Sequence, residues 1–117
     1  MSRSITMFQS PFAPQAAFDS FAQYMTSEGF ALNEKNGEQF WTKGSGFFTA
    51  PQFLKLTLNN DGTFVLEAWI KLPLLPGVFV GEMGTKGFIG CVPKQFLQSR
   101  VDTTLRAMQA RVTQRIN

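Results

Sequence analysis

Two runs of strict alternation joined by a four-residue turn constrain this chain more than any other feature. Leu54, Leu56 and Leu58 recur at every second position, as do Phe64, Leu66, Ala68 and Ile70 after Asn59-Asn60-Asp61-Gly62. A period of two belongs to a strand with one buried face, so the two runs predict a hairpin whose leucine-rich side is the core. Asn36-Gly37 marks a second hairpin between segments 30–35 and 38–43, because both turn residues tolerate positive φ. Segment 47–58 then forms the strand between the hairpins, bent near Pro51 where a ladder donor is missing, and 63–71 completes an antiparallel meander.

Around the meander the period changes from two to near four. Residues 4–8 read as a short first strand with Ile5 and Met7 on one side. Pro14 suits a first helical turn, Ala17, Phe18, Phe21, Ala22 and Met25 follow at helical spacing, and Gly29 is placed to end the helix. Residues 72–93 carry Pro73 and Pro76 and glycines at 77, 81, 84, 87 and 90, which predicts an irregular loop with short strands at 78–80 and 88–89. After Pro93, the stripe Leu97, Val101, Leu105, Met108, Val112 and Ile116 predicts one long helix to the end of the sequence. The order is β-α-β-β-β-β, glycine-rich loop with short strands, α. It defines a two-layer α+β domain over residues 1–117, an antiparallel sheet with two helices packed on one face.

Composition limits what such a domain does. At 117 residues, with 44% hydrophobic and 16% charged residues against about 25% charged in a typical soluble domain, the chain is a folded single unit. Cys91 is the one cysteine and histidine is absent. No intrachain disulfide can form, no cofactor is implied, and a metal site would have one thiolate and carboxylates to draw on. A lone cysteine among Phe88, Ile89 and Val92 reads as a small buried hydrophobe in a reducing cytoplasm. Polar residues and Pro11 break the N-terminal apolar run, and the stretch from Leu72 to Gly81 is too short and too proline-broken to cross a bilayer.

The candidate working surface is a repeated aromatic-x-Lys pattern: Trp41 with Lys43, Phe53 with Lys55, and Trp69 with Lys71. Each aromatic shares a face with its lysine, and the alternation of 54–58 and 64–70 predicts that this face lies away from the helices. Exposed aromatics there call for a cover. A second copy of the chain in a homodimer, or another protein, would bury the rings and leave lysines at the rim. Single-stranded nucleic acid would stack its bases on the rings, although a net charge of +3 is modest for that role. Lysine stems lying across the rings of a solvated sheet would need no partner at all. An apolar ligand between sheet and helices, as in helix-grip domains, is the remaining binding alternative, against the close packing that phenylalanine-rich cores adopt.

The glycine-rich segment, with Gly81, Glu82, Gly84, Lys86 and Gly87, has the composition of a phosphate loop without its spacing: neither a Walker sequence nor Gly-x-Gly-x-x-Gly occurs. Glycines permitting bulges and tight turns beside the sheet account for it. Without histidine, Ser-His and Cys-His nucleophile systems are excluded, and Glu67 and Glu82 near Lys71 and Lys86 read as structural pairs. The sequence therefore predicts a binding module and not an enzyme.

The succession Trp69-Ile70-Lys71-Leu72-Pro73, Leu75-Pro76-Gly77, Gly81-Glu82-Met83-Gly84, Gly87-Phe88-Ile89-Gly90 and Pro93-Lys94 resembles the C-terminal half of a family of small bacterial proteins of unknown function, over residues 69–110. The resemblance implies that the glycine-rich segment is a defined structural element. It implies no activity.

Overall fold

The alternating runs form the centre of one antiparallel sheet. A computed structural model describes residues 3–44, 51–75, 78–83 and 91–116, with side chains outside 71–83 and 91–96. The elements are β1 (Ser4–Gln9), α1 (Pro14–Ser27), β2 (Ala31–Lys35), β3 (Glu38–Lys43), β4 (Gln52–Leu58), β5 (Phe64–Leu75), β6 (Val78–Met83), α2 (Cys91–Ala107) and β7 (Arg111–Ile116). The fold is α+β, with strand order β2-β3-β4-β5-β1-β7 and β6 paired to β5.

Ile70 pairs with both Gln52 of β4 and Met83 of β6, so β6 lies on the edge of β5 opposite β4. That is the edge on which β1 runs from Phe8↔Phe64 to Ser4↔Ala68. Strands β1 and β6 thus lie end to end along β5, and the residue just before Ser4 comes beside Trp69.

One sheet face and both helices make the core. Phe8 of β1, Leu54 of β4 and Phe64, Leu66, Ala68 and Ile70 of β5 pack against Ala17, Phe21 and Met25 of α1 and Leu97, Val101 and Leu105 of α2. Helix α1 ends as its glycine implies. Gly29 has φ 85°, and the Phe30 and Gly29 N–H groups donate to the carbonyls of Met25 and Thr26.

Three stretches depart from the sequence reading. The second helix stops at Ala107, and Val112 and Ile116 belong to strand β7, paired antiparallel to β1. Its end has the same hydrogen bonds as that of α1, with Ala110 N–H on Leu105 O and Gln109 N–H on Arg106 O, but Gln109 at φ 51° takes the glycine's place. A glutamine carries no stop signal, and a spacing of four suits both the stripe and the start of an alternating strand. Gln109→Gly should therefore raise stability by about 0.5–1 kcal/mol in urea unfolding, since glycine adopts this conformation without a Cβ clash. The second departure is that β5 continues through Pro73 to Leu75 and β6 spans Val78–Met83, where loop and a strand at 78–80 were predicted. Register shifts beside Leu72 and Pro73 accommodate the missing donor. Finally, β4 starts at Gln52; residues 45–50 and the strand predicted at 88–89 lie outside the described residues.

Candidate functional site

Register decides which aromatics face outward. Trp41 pairs with Leu54 and Thr42 with Phe53, so Trp41 lies on the helix-bearing face and packs against the core. The predicted outward placement of Trp41 and Lys43 is corrected here. Strand β3 carries adjacent aromatics, Phe40 and Trp41, and pairing with β4 turns Phe40 outward instead. Lys43 reaches back along the helix face: its stem passes Gly29, and Nζ donates to the Glu28 carbonyl at 2.7 Å. A cation at the C-terminal end of α1 complements the helix dipole.

Phe53 and Trp69 do lie on the outer face, directly opposite each other in the β4–β5 ladder. Their rings are parallel within 4° at 5.3 Å between centroids, and Phe40 meets both edge-on at 5.5 and 6.0 Å. Neither ring is open to solvent, contrary to the exposure the sequence predicts: Trp69 is 2% exposed and Phe53 8%. A charged residue that the aromatic-x-Lys reading missed covers Trp69. The Arg3 guanidinium lies 3.7 Å from the Trp69 ring centroid, a cation–π contact from the position that the β1 register brings beside the indole.

Carboxylates hold Arg3 there. Its Nη1 and Nη2 donate to Glu38 Oε2 and Oε1 at 2.6 and 3.0 Å, and Nη1 also donates to Glu67 Oε1 at 3.3 Å. The paired fork gives geometric as well as electrostatic fit. Lys55 completes the cluster, 2.9 Å from Glu38 Oε2 and 4.0 Å from Glu67 Oε2. Among the described residues two cations and two carboxylates thus cap the stack. A depression of about 320 Å³ opens beside this cap, floored by Phe40, Phe53 and Trp69 and rimmed by Arg3, Glu38 and the hairpin residues Lys35 and Asn36.

Hydrogen bonds from Arg3 and then Lys55 lower the Glu38 pKa from 4.5 to about 2. A depressed carboxylate contributes stability above its unfolded pKa, and that contribution is lost as pH falls through the folded value. Stability should therefore fall between about pH 5 and pH 2. For a carboxylate whose side chain is 29% exposed, solvent screening holds this contribution to about 1 kcal/mol. Glu38→Gln should flatten that acid limb in urea titrations at stepped pH; an unchanged limb would remove Glu38 as its cause.

Of the remaining sequence-selected residues, Glu67 alone is drawn into this site by a described contact. Lys71 stands opposite Glu82 in the β5–β6 register, and Gly81 lies in β6. Gly84, Lys86 and Gly87 are outside the described residues. Glu67 pairs with Arg3 and Lys55. Among the described residues no group of three or more Asp, Glu or Cys side chains could hold a metal ion, and no helix is long and apolar enough to cross a membrane. No protein-family model, curated protein or solved structure matches this chain.

Proposed function

We propose that this chain is a non-catalytic binding module whose working surface is the outer sheet face, and that it takes a segment of another protein in the depression beside the Phe53–Trp69 stack. The carrying observation is one concavity in which the partly exposed Phe40, backed by the buried Phe53 and Trp69, meets a rim of both charge signs. Such a site suits side chains of a polypeptide, with apolar contact below and hydrogen bonds around it. Nucleic acid is less well supported on this face, because Lys55 and Arg3 already have carboxylate partners. An apolar ligand between sheet and helices would have a depression of about 300 Å³ between α1 and strands β2–β4, but Asp19, Gln39 and Lys55 line it beside Phe18, Phe21 and Trp41, which suits an apolar molecule less well.

Selection from a random peptide library tests this reading. Peptides should be enriched on the wild type and lose binding to Phe40→Ala and Lys35→Glu variants that remain folded. Equal enrichment on those variants, or none on the wild type, would contradict it.

Self-association is a second reading, now favoured by the sheet edges instead of the aromatic stack. Every residue of β2 and β7 is exposed, and Leu32 at 52% and Ile116 at 44% are apolar side chains on those open edges. Light scattering should then show a dimer that Leu32→Lys or Ile116→Lys dissociates; a monomeric wild type at high concentration excludes it.

A further inference from the structure

We infer that Trp69, Phe53, Phe40, Glu38 and Glu67 form a receptor for an arginine side chain, which Arg3 fills in the free protein and an arginine of the binding partner replaces. The inference rests on the proposed protein-binding role and names the chemistry of the partner. Its first support is the occupant itself. A guanidinium sits 3.7 Å above the indole with two of its nitrogens on the two oxygens of one carboxylate. A planar cation with a fork of donors satisfies both demands together, whereas an ammonium satisfies one at a time.

The second support is the way the occupant is attached. Arg3 lies one residue outside the β1–β5 ladder, whose pairs begin at Ser4↔Ala68. Its side chain can leave the cage without opening a ladder pair. Lys55 reduces the cost of that departure, because it remains 2.9 Å from Glu38 and keeps the carboxylate partnered. The depression next to Arg3 then gives the incoming segment room along Lys35 and Asn36.

Exchange on these terms is selective. Arg3 is held beside a paired strand and not on a flexible linker, so it competes at an effective concentration at least about ten times the Kd of a free arginine probe, and free arginine displaces it poorly. A protein segment that adds contacts in the depression displaces it. Arg3 therefore sets an affinity threshold, and the site admits arginine-bearing partners that also fit the aromatic floor.

The test is calorimetric titration of the Arg3→Ala variant with N-acetyl-argininamide at low salt and pH 7. Saturable binding with a Kd of about 1 mM is expected from the size of this probe. The wild type and N-acetyl-lysinamide should each give binding weaker by at least about ten-fold, and adding Glu38→Gln to Arg3→Ala should abolish it. Should Arg3→Ala be too unstable to titrate, its melting temperature should rise with the arginine probe and not with the lysine probe. No saturation and no melting shift well above that concentration, or equal effects of the two probes, would overturn the inference. Library peptides that depend on Phe40 but lack arginine would sink this inference and leave the binding role standing. Arginine-probe binding with no peptide enrichment would contradict the peptide-binding role, and with it the exchange, while leaving the arginine chemistry of the cage in place.

Discussion

Trp69→Ala should cost about 3–5 kcal/mol of folding stability, as expected for deleting a large aromatic from a closed site. The indole is 2% exposed, stacked on Phe53 on one side and beneath Arg3 on another. Its removal leaves a cavity whose walls belong to a paired sheet and cannot collapse far, and it also forfeits the stacked pair, worth about 0.5–1.5 kcal/mol. In urea titration the midpoint should fall with little change in slope. Were Trp69 a surface ring awaiting a partner, the same substitution would change stability by less than about 0.5 kcal/mol. The size of the loss thus separates a ring sealed within the monomer from one held open for an interface.

Arg3→Ala should cost about 2 kcal/mol at pH 7, from loss of hydrogen bonds to an ionised carboxylate and of the cation–π contact. Lys55 limits the damage, because Glu38 and Glu67 keep one cation between them. Coupling between Arg3 and Glu38 is the sharper readout. The double variant Arg3→Ala/Glu38→Gln should be more stable than the sum of the single losses implies, with an interaction of about 1 kcal/mol. Arg3→Lys should recover part of the loss and no more, since an ammonium cannot reproduce the paired contact. Strict additivity of the two single changes would mean that the ion pair does not hold the cap.

Much of the scaffold was legible because it is local. The Asn36-Gly37 turn, the alternation of Leu54 to Leu58 and of Phe64 to Ile70, and the spacing of Ala17, Phe21 and Met25 each depend on neighbours within a few residues. What escaped depends on distant pairings. Arg3 meets partners 35 and 64 positions away, and nothing near residue 3 marks it as the cover of a tryptophan. Trp41 escaped because Phe40 and Trp41 offer two equally apolar faces, and the tie is broken by pairing across to Leu54. Strand β7 escaped because Val112 and Ile116 continue the spacing of a helix whose end is made by a glutamine in a glycine's conformation. The aromatic-x-Lys repeat therefore divides into three parts. Phe53, Lys55 and Trp69 belong to the outer site, Trp41 and Lys43 serve the helical side, and the side chain of Lys71 is not described.

This division recasts the outer face. It is not a row of bare rings between free lysines but a stacked pair under a guanidinium, locked by Glu38 and bordered by an open depression. The lock matters for stability because it closes the sheet over Trp69, and under the proposed binding role it would set what an incoming side chain must outcompete.

Nitrogen-15 correlation spectroscopy of the Arg3 side chain tests this arrangement most directly. A guanidinium stacked on an indole feels the ring current, so the Arg3 Nε–H proton should resonate upfield of the other arginines and exchange slowly with water. Both features should vanish in Glu38→Gln. An Arg3 signal at the position of a freely solvated arginine, unmoved by Glu38→Gln, would contradict the account.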